Sequence, residues 1–456
     1  MFENYSHIYF LGIGGIGMSA LAEYFYSKGF IVSGYDKTPS KITDNLIQKG
    51  INIHFNENIQ LLADNIDLVI YTPAIPDDNI ELNYFKNKNI KIIKRSEALS
   101  TLTKNNFTVA VAGTHGKTSI TAIIAHIANF AGKKINAFIG GISKNFSSNL
   151  IVTDSDPEIF IVEADEFDHS FLYLEPDIAV ISYIDPDHLD IYGNYDELNR
   201  NFSLFTDKIK NNGFLIYKNE IKININPNIN AYKYAINDNY EIFDFAAYNI
   251  VLKNKKFFFN LKLQNEFIEN VYCGTPGFHN IENSVAASAV SYKLGIKPDT
   301  IKSALAEYKG VERRFDFRIN TPELVYVDDY AHHPREIKTC ISSLKQLYPD
   351  KQLTVIFQPH LFSRTRDLLD DFASSLQIAD KVILLDIYPA REKPIPGIDS
   401  NLLLSKINNK NKILLTKNEL IDFLKTNPPE LLVTMGAGDI DRLVKPIETA
   451  LKEIIA

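Results

Sequence analysis

The chain has 456 residues, of which 45% are hydrophobic and 23% charged, and this length allows about three globular domains. Its net charge of −8 and its pI near 5.8 argue against a general nucleic-acid binder, which would be basic. It has only two cysteines, no basic leader and no apolar run of about 18 residues. We therefore expect a cytoplasmic protein without membrane insertion.

The first glycine-rich stretch follows a short apolar strand predicted over residues 8–11. It reads G-I-G-G-I-G-M-S over residues 12–19, and a helical pattern continues to about residue 28. A second strand, over residues 30–34, leads to Asp36. Glycines that admit a pyrophosphate, with an acid about twenty residues further on, are typical of dinucleotide-binding folds. The pattern leaves a nicotinamide dinucleotide and a nucleotide-sugar diphosphate both open.

A second glycine turn, V-A-V-A-G-T-H-G-K-T-S over residues 109–119, has the layout of a phosphate-binding loop. An apolar strand begins it, and a helical pattern follows it. Lys117 could reach the β- and γ-phosphates, and Thr118 could hold Mg²⁺ through its hydroxyl. Val111 stands where the strict pattern requires glycine, so the loop is a variant. We predict that it binds a nucleoside triphosphate with Mg²⁺.

Two further predicted strands, over residues 159–162 and 178–184, end in acidic segments. The first leads into E-A-D-E-F-D, which begins at Glu163, and the second into D-P-D-H-L-D, which contains His188. A few carboxylates beside phosphate oxygens suit Mg²⁺. The acids that begin at Glu163 are therefore candidates for binding Mg²⁺, although a solvated acidic loop explains them equally well. His188 could be a metal ligand or a contact to a carboxylate.

The rest of the central region gives weaker signals. We predict an antiparallel patch over residues 211–270, where alternating segments are separated by polar turns. A helix opened by G-F-H-N-I-E-N carries Asn280, whose amide suits either an adenine edge or a helix cap. Arg314, in G-V-E-R-R-F, would stabilise charge in phosphoryl transfer or simply lie on the surface.

Four predicted strands in the last third of the chain each end in a loop rich in polar residues, His, Arg or Gly. They cover residues 324–327, 353–357, 381–385 and 431–435. In a parallel sheet such loops share one edge, where ligands bind. The adjacent His332 and His333 lack a third ligand at metal spacing, so we expect no zinc site.

Taken together, these motifs resemble those of the Mur ligase family of peptidoglycan synthesis over nearly the whole chain. The resemblance rests on G-I-G-G-I-G-M-S, A-G-T-H-G-K-T-S, E-A-D-E-F-D, D-H-L-D-I-Y-G, H-N-I-E-N, G-V-E-R-R-F, D-D-Y-A-H-H-P, F-Q-P-H-L-F-S-R-T and D-I-Y-P-A-R-E. It implies an α/β protein of three domains. These are a Rossmann-like UDP-sugar domain (1–104), a central P-loop ATPase domain with a mostly parallel sheet (105–318), and a Rossmann-like C-terminal domain (319–456) that closes over ATP and binds the amino acid.

The resemblance is to the alanine-adding branch, and it implies an activity. ATP would phosphorylate the lactyl carboxylate of UDP-N-acetylmuramate, and the amine of L-alanine would attack the acyl phosphate, releasing phosphate. The implied cofactors are ATP and Mg²⁺. We expect a monomer or weak homodimer with no nucleic-acid partner.

Residue roles are implied position by position. The implied catalytic residues are Lys117, Glu163, His188 and Arg314. The implied ATP contacts are Gly113, Thr114, His115, Gly116, Lys117, Thr118, Ser119, His279, Asn280, Asn283, Arg314 and Asp329. The implied metal ligands are Thr118, Glu163 and His188. The UDP-sugar would face Gly12, Gly14, Gly15 and Gly17 with Asp36 nearby, and the amino acid would meet His360 and Arg364.

Two departures from the family pattern matter. No lysine occurs between His188 and Lys208, so we expect no carbamylated lysine of the kind that several sister ligases use to support a second metal. Leu361 stands where some alanine ligases have Arg, which leaves the details of the alanine pocket open. The alternatives are a recycling ligase that attaches a preformed murein peptide to the same UDP-sugar, an NAD-dependent dehydrogenase, and a non-catalytic nucleotide-binding regulator.

Overall fold

The computed structural model describes residues 2–186, 189–390 and 392–455. The chain forms two compact units. The first contains Met1–Ile250, Phe259–Tyr272 and Glu282–Lys309, and the second contains Val251–Phe258, Cys273–Ile281 and Gly310–Ala456. Three separate sheets with helices between their strands confirm the predicted three-domain α/β fold. The boundaries at residues 104/105 and 318/319 stay predictions. Among the described helices, none is long and apolar enough to cross a membrane.

The N-terminal sheet is parallel and has the strand order β3-β2-β1-β4-β5. Its strands are β1 (His7–Leu11), β2 (Ile31–Tyr35), β3 (Asn52–His54), β4 (Leu68–Tyr71) and β5 (Lys91–Lys94). Its helices are α1 (Ile16–Ser27), α2 (Lys41–Gln48), α3 (Ile80–Asn87) and α4 (Arg95–Thr103). Strand β1 is buried throughout because its apolar residues face helices on both sides. The first glycine loop follows β1 and opens α1, as predicted.

The central sheet has ten strands in the order β15-β14-β13-β12-β11-β10-β6-β9-β7-β8. They are β6 (Thr108–Ala112), β7 (Ile135–Ser143), β8 (Ser148–Ile151), β9 (Ile159–Glu163), β10 (Ile178–Ile181), β11 (Phe214–Lys218), β12 (Asn230–Ile236), β13 (Phe245–Lys253), β14 (Lys256–Leu263) and β15 (Glu266–Tyr272). The helices are α5 (Lys117–Phe130), α6 (Leu189–Tyr192), α7 (Tyr195–Thr206), α8 (Phe278–Lys293) and α9 (Pro298–Glu307). β6 lies between β9 and β10 and runs parallel to both. The polar ends of these three strands therefore share one edge.

The predicted antiparallel patch over residues 211–270 is partly wrong. β11, β12 and β13 extend the sheet in parallel, with Ile178 opposite Phe214 and Tyr234 opposite Phe245. The direction reverses only after β13, at the two-residue turn of Asn254 and Lys255, whose φ values of 50° and 59° suit a tight hairpin. Alternation along a strand reports which face is exposed and not which way its neighbour runs.

The third sheet has the order β16-β17-β21-β18-β19-β20, and only β16 is antiparallel to its neighbour. Its strands are β16 (Asp316–Asn320), β17 (Val325–Asp329), β18 (Leu353–Phe357), β19 (Lys381–Leu384), β20 (Lys412–Leu414) and β21 (Leu431–Met435). Its helices are α10 (Pro334–Leu347), α11 (Phe362–Asp367), α12 (Leu369–Leu376), α13 (Ser400–Lys406), α14 (Lys417–Thr426) and α15 (Asp441–Ile455). The four predicted polar loops follow β17, β18, β19 and β21, which are neighbours, so they do share one edge.

Candidate active site

The phosphate loop joins β6 to α5 through two glycines in the left-handed region. Gly113 has φ +127° and Gly116, the residue before α5, has φ +82°. A Cβ at Gly113 would collide with Ser182, including its backbone N at 2.9 Å. Glycine is therefore required where the loop passes the end of β10. The loop opens a helix of 14 residues, whose N-terminus favours anions.

Lys117, the first residue of α5, has its ammonium inside this turn. Its Nζ donates to the Gly113 carbonyl at 2.7 Å and to both carboxylate oxygens of Glu166 at 2.8 and 2.7 Å. The Glu166 side chain is fully buried. Burial lowers the pKa of Lys117, but the charges of Glu166 and Asp165 outweigh it and the net pKa is raised. Lys117 is therefore a cation held by a carboxylate that bound phosphates could replace.

The residues that follow β10 hold the middle of the phosphate loop in place. The Thr114 amide donates to the Tyr183 carbonyl at 2.9 Å, and the Ser182 hydroxyl donates to the carbonyls of Ala112 and His115. The Thr114 hydroxyl accepts from the Asp185 amide at 3.0 Å. These bonds hold the loop in shape without phosphate, which limits the reorganisation needed for binding.

The metal ligands predicted here are Thr118, Glu163 and His188. Thr118 is buried at the start of α5, and Glu163 ends β9 level with Val111 of β6. A Cβ at Gly140 would collide with the Glu163 carboxylate, so glycine leaves the room that this side chain uses. A hydroxyl and a carboxylate suit Mg²⁺, which takes its other ligands from phosphate and water.

His188 lies outside the described residues. Within the described residues, no cluster of three His, Cys, Asp or Glu side chains could hold a metal alone. The hydroxyl of Thr118 and the carboxylate of Glu163 fit a magnesium ion that is bound together with a nucleotide.

The motif H-N-I-E-N at the start of α8 spans the two units. In the second unit, the His279 ring lies 5.5 Å from the Phe315 ring, and burial lowers its pKa to about 4. Asn280 is buried and donates to the Pro276 carbonyl at 2.8 Å. In the first unit, Asn283 Oδ1 would lie 2.8 Å from a Cβ on Gly116, so it flanks the phosphate loop.

Glu282, in the same motif, forms an ion pair that the sequence did not indicate. Its carboxylate accepts from Lys218 Nζ at 2.7 Å and from the Tyr183 hydroxyl. Lys218 and Glu282 are 5% and 8% exposed. Lys218 also lies 3.7 Å from the centre of the Tyr183 ring, a favourable cation–π distance. The ion pair connects α8 to β11, and the Tyr183 hydroxyl connects α8 to the end of β10, which supports the phosphate loop.

Arg314 and Asp329 come together in the second unit. The guanidinium of Arg314 lies 4.9 Å from the centre of the Tyr330 ring, and its Nη1 lies 4.0 Å from Glu336. The Asp329 carboxylate accepts from the Phe315 amide at 2.8 Å and the Ala331 amide at 2.7 Å. Burial raises the pKa of Asp329 to about 7, although Arg314 and the two amides oppose the rise.

His360 and Arg364 follow β18 on the same edge of the third sheet. The His360 ring stacks on Tyr388 with ring centres 5.8 Å apart and an angle of 24°. Leu361, with φ +70°, turns the chain into α11, which carries Arg364. Glu392 accepts from the amide and hydroxyl of Ser363 at the start of this helix. The structure therefore places His360 just before α11 and Arg364 within it.

The first glycine loop binds Asp36 directly. The Gly14 amide donates to Asp36 Oδ2 at 2.8 Å, and the Gly12 amide donates to the Tyr35 carbonyl at 2.8 Å. Gly12 has φ +83°, and Gly15 precedes α1. Asp36 therefore holds the glycine loop through one of its two carboxylate oxygens.

Arg95, at the start of α4, is a further candidate for binding an anion beside the first glycine loop, and the sequence did not single it out. Its guanidinium occupies the space that a Cβ on Gly17 would fill, and its Nη2 lies 3.3 Å from Asp165. Its neighbour Lys94 donates to Asp168 at 3.0 Å. A cation beside the N-terminus of α1 is favourable only when an anion neutralises it.

Three family models match the chain in order. They are the Mur ligase family, catalytic domain (residues 7–107), the Mur ligase middle domain (111–291) and the Mur ligase, glutamate ligase domain (313–438).

Full-length relatives point the same way. A UDP-N-acetylmuramate–L-alanine ligase of Flavobacterium psychrophilum is 47% identical over 451 residues and 98% of each chain. A Porphyromonas gingivalis protein of that name is 43% identical over 98% of this chain and 99% of its own. The crystal structure of UDP-N-acetylmuramate-alanine ligase from Thermotoga maritima superposes with a TM-score of 0.83 at 26% identity, covering 99% of this chain and 100% of that one.

Proposed function

The chain belongs to the Mur ligase family, and from this premise we propose that it joins L-alanine to the lactyl carboxylate of UDP-N-acetylmuramate in peptidoglycan precursor synthesis. The strongest support is the 47% identity, over 98% of both chains, to a relative named for that reaction. The reaction consumes ATP, as in the family. The dehydrogenase alternative is not favoured, because Lys117 lies in a phosphate loop and the full-length relatives are named as ligases.

The chemistry takes two steps. The lactyl carboxylate oxygen attacks the γ-phosphorus of ATP, the bond to the bridging oxygen breaks, and ADP leaves with that electron pair. The neutral amine of L-alanine then attacks the acyl carbon, the bond from that carbon to the phosphate oxygen breaks, and the phosphate leaves as hydrogen phosphate with the proton that the amine loses. Both partners of the first step are anions, so the protein contributes positive charge and alignment more than covalent help.

Each step uses residues of the candidate site. Lys117 exchanges Glu166 for the β- and γ-phosphates, and Thr118 and Glu163 would hold Mg²⁺ together with His188. A bound Mg²⁺ supplies charge neutralisation to the phosphates. Arg95, against Gly17, would neutralise the diphosphate of the UDP-sugar. Arg364 would pair with the alanine carboxylate, since a guanidinium fits a carboxylate in two parallel hydrogen bonds.

Two further parts of the proposal concern the protein in the cell. We place it in the cytoplasm, because both cysteines are free and buried and because its substrates include ATP. We expect a monomer or a weak homodimer.

The test is phosphate release from ATP with UDP-N-acetylmuramate and either L-alanine or the murein tripeptide. The proposal predicts turnover with L-alanine and background release with the tripeptide or with no amino acid. Turnover with the tripeptide alone would favour the recycling ligase.

A further inference from the structure

The G-A-G-D stretch, residues 436–439, follows β21 and has no place in the functions described so far. It packs against Gln358, which directly precedes Pro359 and His360. Gln358 is fully buried, and its side-chain amide is bonded at both ends. Its Nε2 donates to Asp439 Oδ1 at 2.8 Å, and its Oε1 accepts from the Ile440 amide at 2.9 Å.

The two glycines of this stretch allow the close approach. Gly436 has φ +147°, and a Cβ there would lie 2.8 Å from the Gln358 carbonyl. A Cβ at Gly438 would lie 2.6 Å from Gln358 Oε1 and 2.6 Å from Tyr388 Cβ. Any side chain at Gly438 would therefore push on both residues.

The other side of Asp439 is fixed by a second element. Lys417, the first residue of α14, donates to both carboxylate oxygens of Asp439 at 2.5 Å. Burial raises the pKa of Asp439, but the hydrogen bonds from Lys417 and Gln358 outweigh it, and the pKa lies below its usual range. Asp439 therefore stays ionised as an acceptor for Gln358.

The two residues that the G-A-G-D stretch contacts, Gln358 and Tyr388, both fix the position of His360. Gln358 fixes the backbone two residues before it. Tyr388 donates its amide to the Pro359 carbonyl at 2.8 Å, accepts from the Leu361 amide at 2.9 Å and stacks on the His360 ring. The backbone on each side of His360, and one face of its ring, are thus held by groups that the G-A-G-D stretch packs against.

We propose that Asp439 is a positioning residue of the amino-acid site, which together with Gly438 fixes Gln358 and Tyr388 and thereby orients His360 toward the amino-acid substrate. Asp439 acts through Gln358 and does not itself touch the substrate. The inference rests on the proposed function, because His360 and Arg364 meet L-alanine only in that function.

The test compares the three substrate KM values of Asp439→Ala with those of the wild type. Removing a charged acceptor from a buried amide lets His360 shift, so we expect the KM for L-alanine to rise roughly 10-fold or more. The KM values for ATP and UDP-N-acetylmuramate should stay within about twofold. Asp439→Asn keeps one acceptor oxygen for Gln358 and should restore part of the loss.

The matched control is Asp441→Asn, which removes the same charge from an exposed position two residues further on. It should leave all three KM values unchanged. If Asp439→Ala does not fold, Gly438→Ala tests the same contacts by adding one methyl group.

Equal changes in all three KM values, or an unchanged KM for L-alanine, would overturn the inference. A wild-type protein that does not ligate L-alanine at all would instead refute the proposed function.

Discussion

Glu166→Gln tests whether Lys117 exchanges a protein carboxylate for phosphate. The change keeps the shape of the side chain and removes the charge that Lys117 contacts at 2.7 and 2.8 Å. Glu166 is fully buried and Lys117 is 17% exposed. Breaking a buried ion pair by removing one partner costs about 3–5 kcal/mol, and the partial exposure of Lys117 favours the lower end.

The assay is thermal unfolding with and without ATP and Mg²⁺. A loss of about 3 kcal/mol lowers the melting temperature of a unit of this size by about 5 °C. Bound phosphates replace the missing charge, so ATP should raise the melting temperature of Glu166→Gln more than that of the wild type.

The matched control is Glu197→Gln, whose side chain is 48% exposed and pairs with Arg200 at 3.5 Å. It should change stability by less than about 0.5 kcal/mol and leave the ATP effect unchanged. An ATP-induced rise in Glu166→Gln no larger than in the wild type would refute the exchange of partners.

Three other predictions concern the same sites. Lys117→Ala should abolish ligation while the far-ultraviolet circular dichroism stays that of a folded protein; unchanged turnover would refute its role. Glu163→Gln should slow ligation about 100-fold and raise the Mg²⁺ concentration needed for half-maximal rate. Chelation of Mg²⁺ should stop ligation by the wild type until Mg²⁺ is restored. The same Mg²⁺ dependence in the variant and the wild type would exclude Glu163 as a ligand. The raised pKa of Asp329, about 7 against a usual 3.8, destabilises the folded state as pH rises from about 4 to 7. As the pH rises over that range, the free energy of unfolding of Asp329→Asn, measured with denaturant, should therefore increase relative to that of the wild type by on the order of 3–4 kcal/mol. A difference between the two proteins that does not change with pH would contradict the raised pKa.

The sequence predicted the parts of the fold that local pattern determines. Strands such as β1, β6 and β18 are buried, largely apolar runs, and each ends at a polar or glycine loop, so their ends were visible within about one residue. The direction of β11 to β13 was missed because it depends on which strands pair across the sheet.

Hydrogen bonds and ion pairs between residues far apart in the chain also could not be predicted from the sequence. The sequence does not distinguish the four acids of E-A-D-E-F-D. Only the fold shows that Glu166 bonds Lys117, whereas Asp165 bonds Arg95 of α4. The burial that raises the pKa of Asp329 depends on packing of the whole third domain. The roles of the predicted site residues stay predictions until variants are measured.

The most direct test of the proposed function is an amino-acid panel in the ligation assay, with ATP, Mg²⁺ and UDP-N-acetylmuramate held constant. L-Alanine, glycine, L-serine and the murein tripeptide are compared by kcat/KM for phosphate release, and the product is identified by mass. The proposed function predicts the highest value for L-alanine, a product heavier by one alanine residue, and background release with the tripeptide. Ligation of the tripeptide without ligation of L-alanine would contradict it.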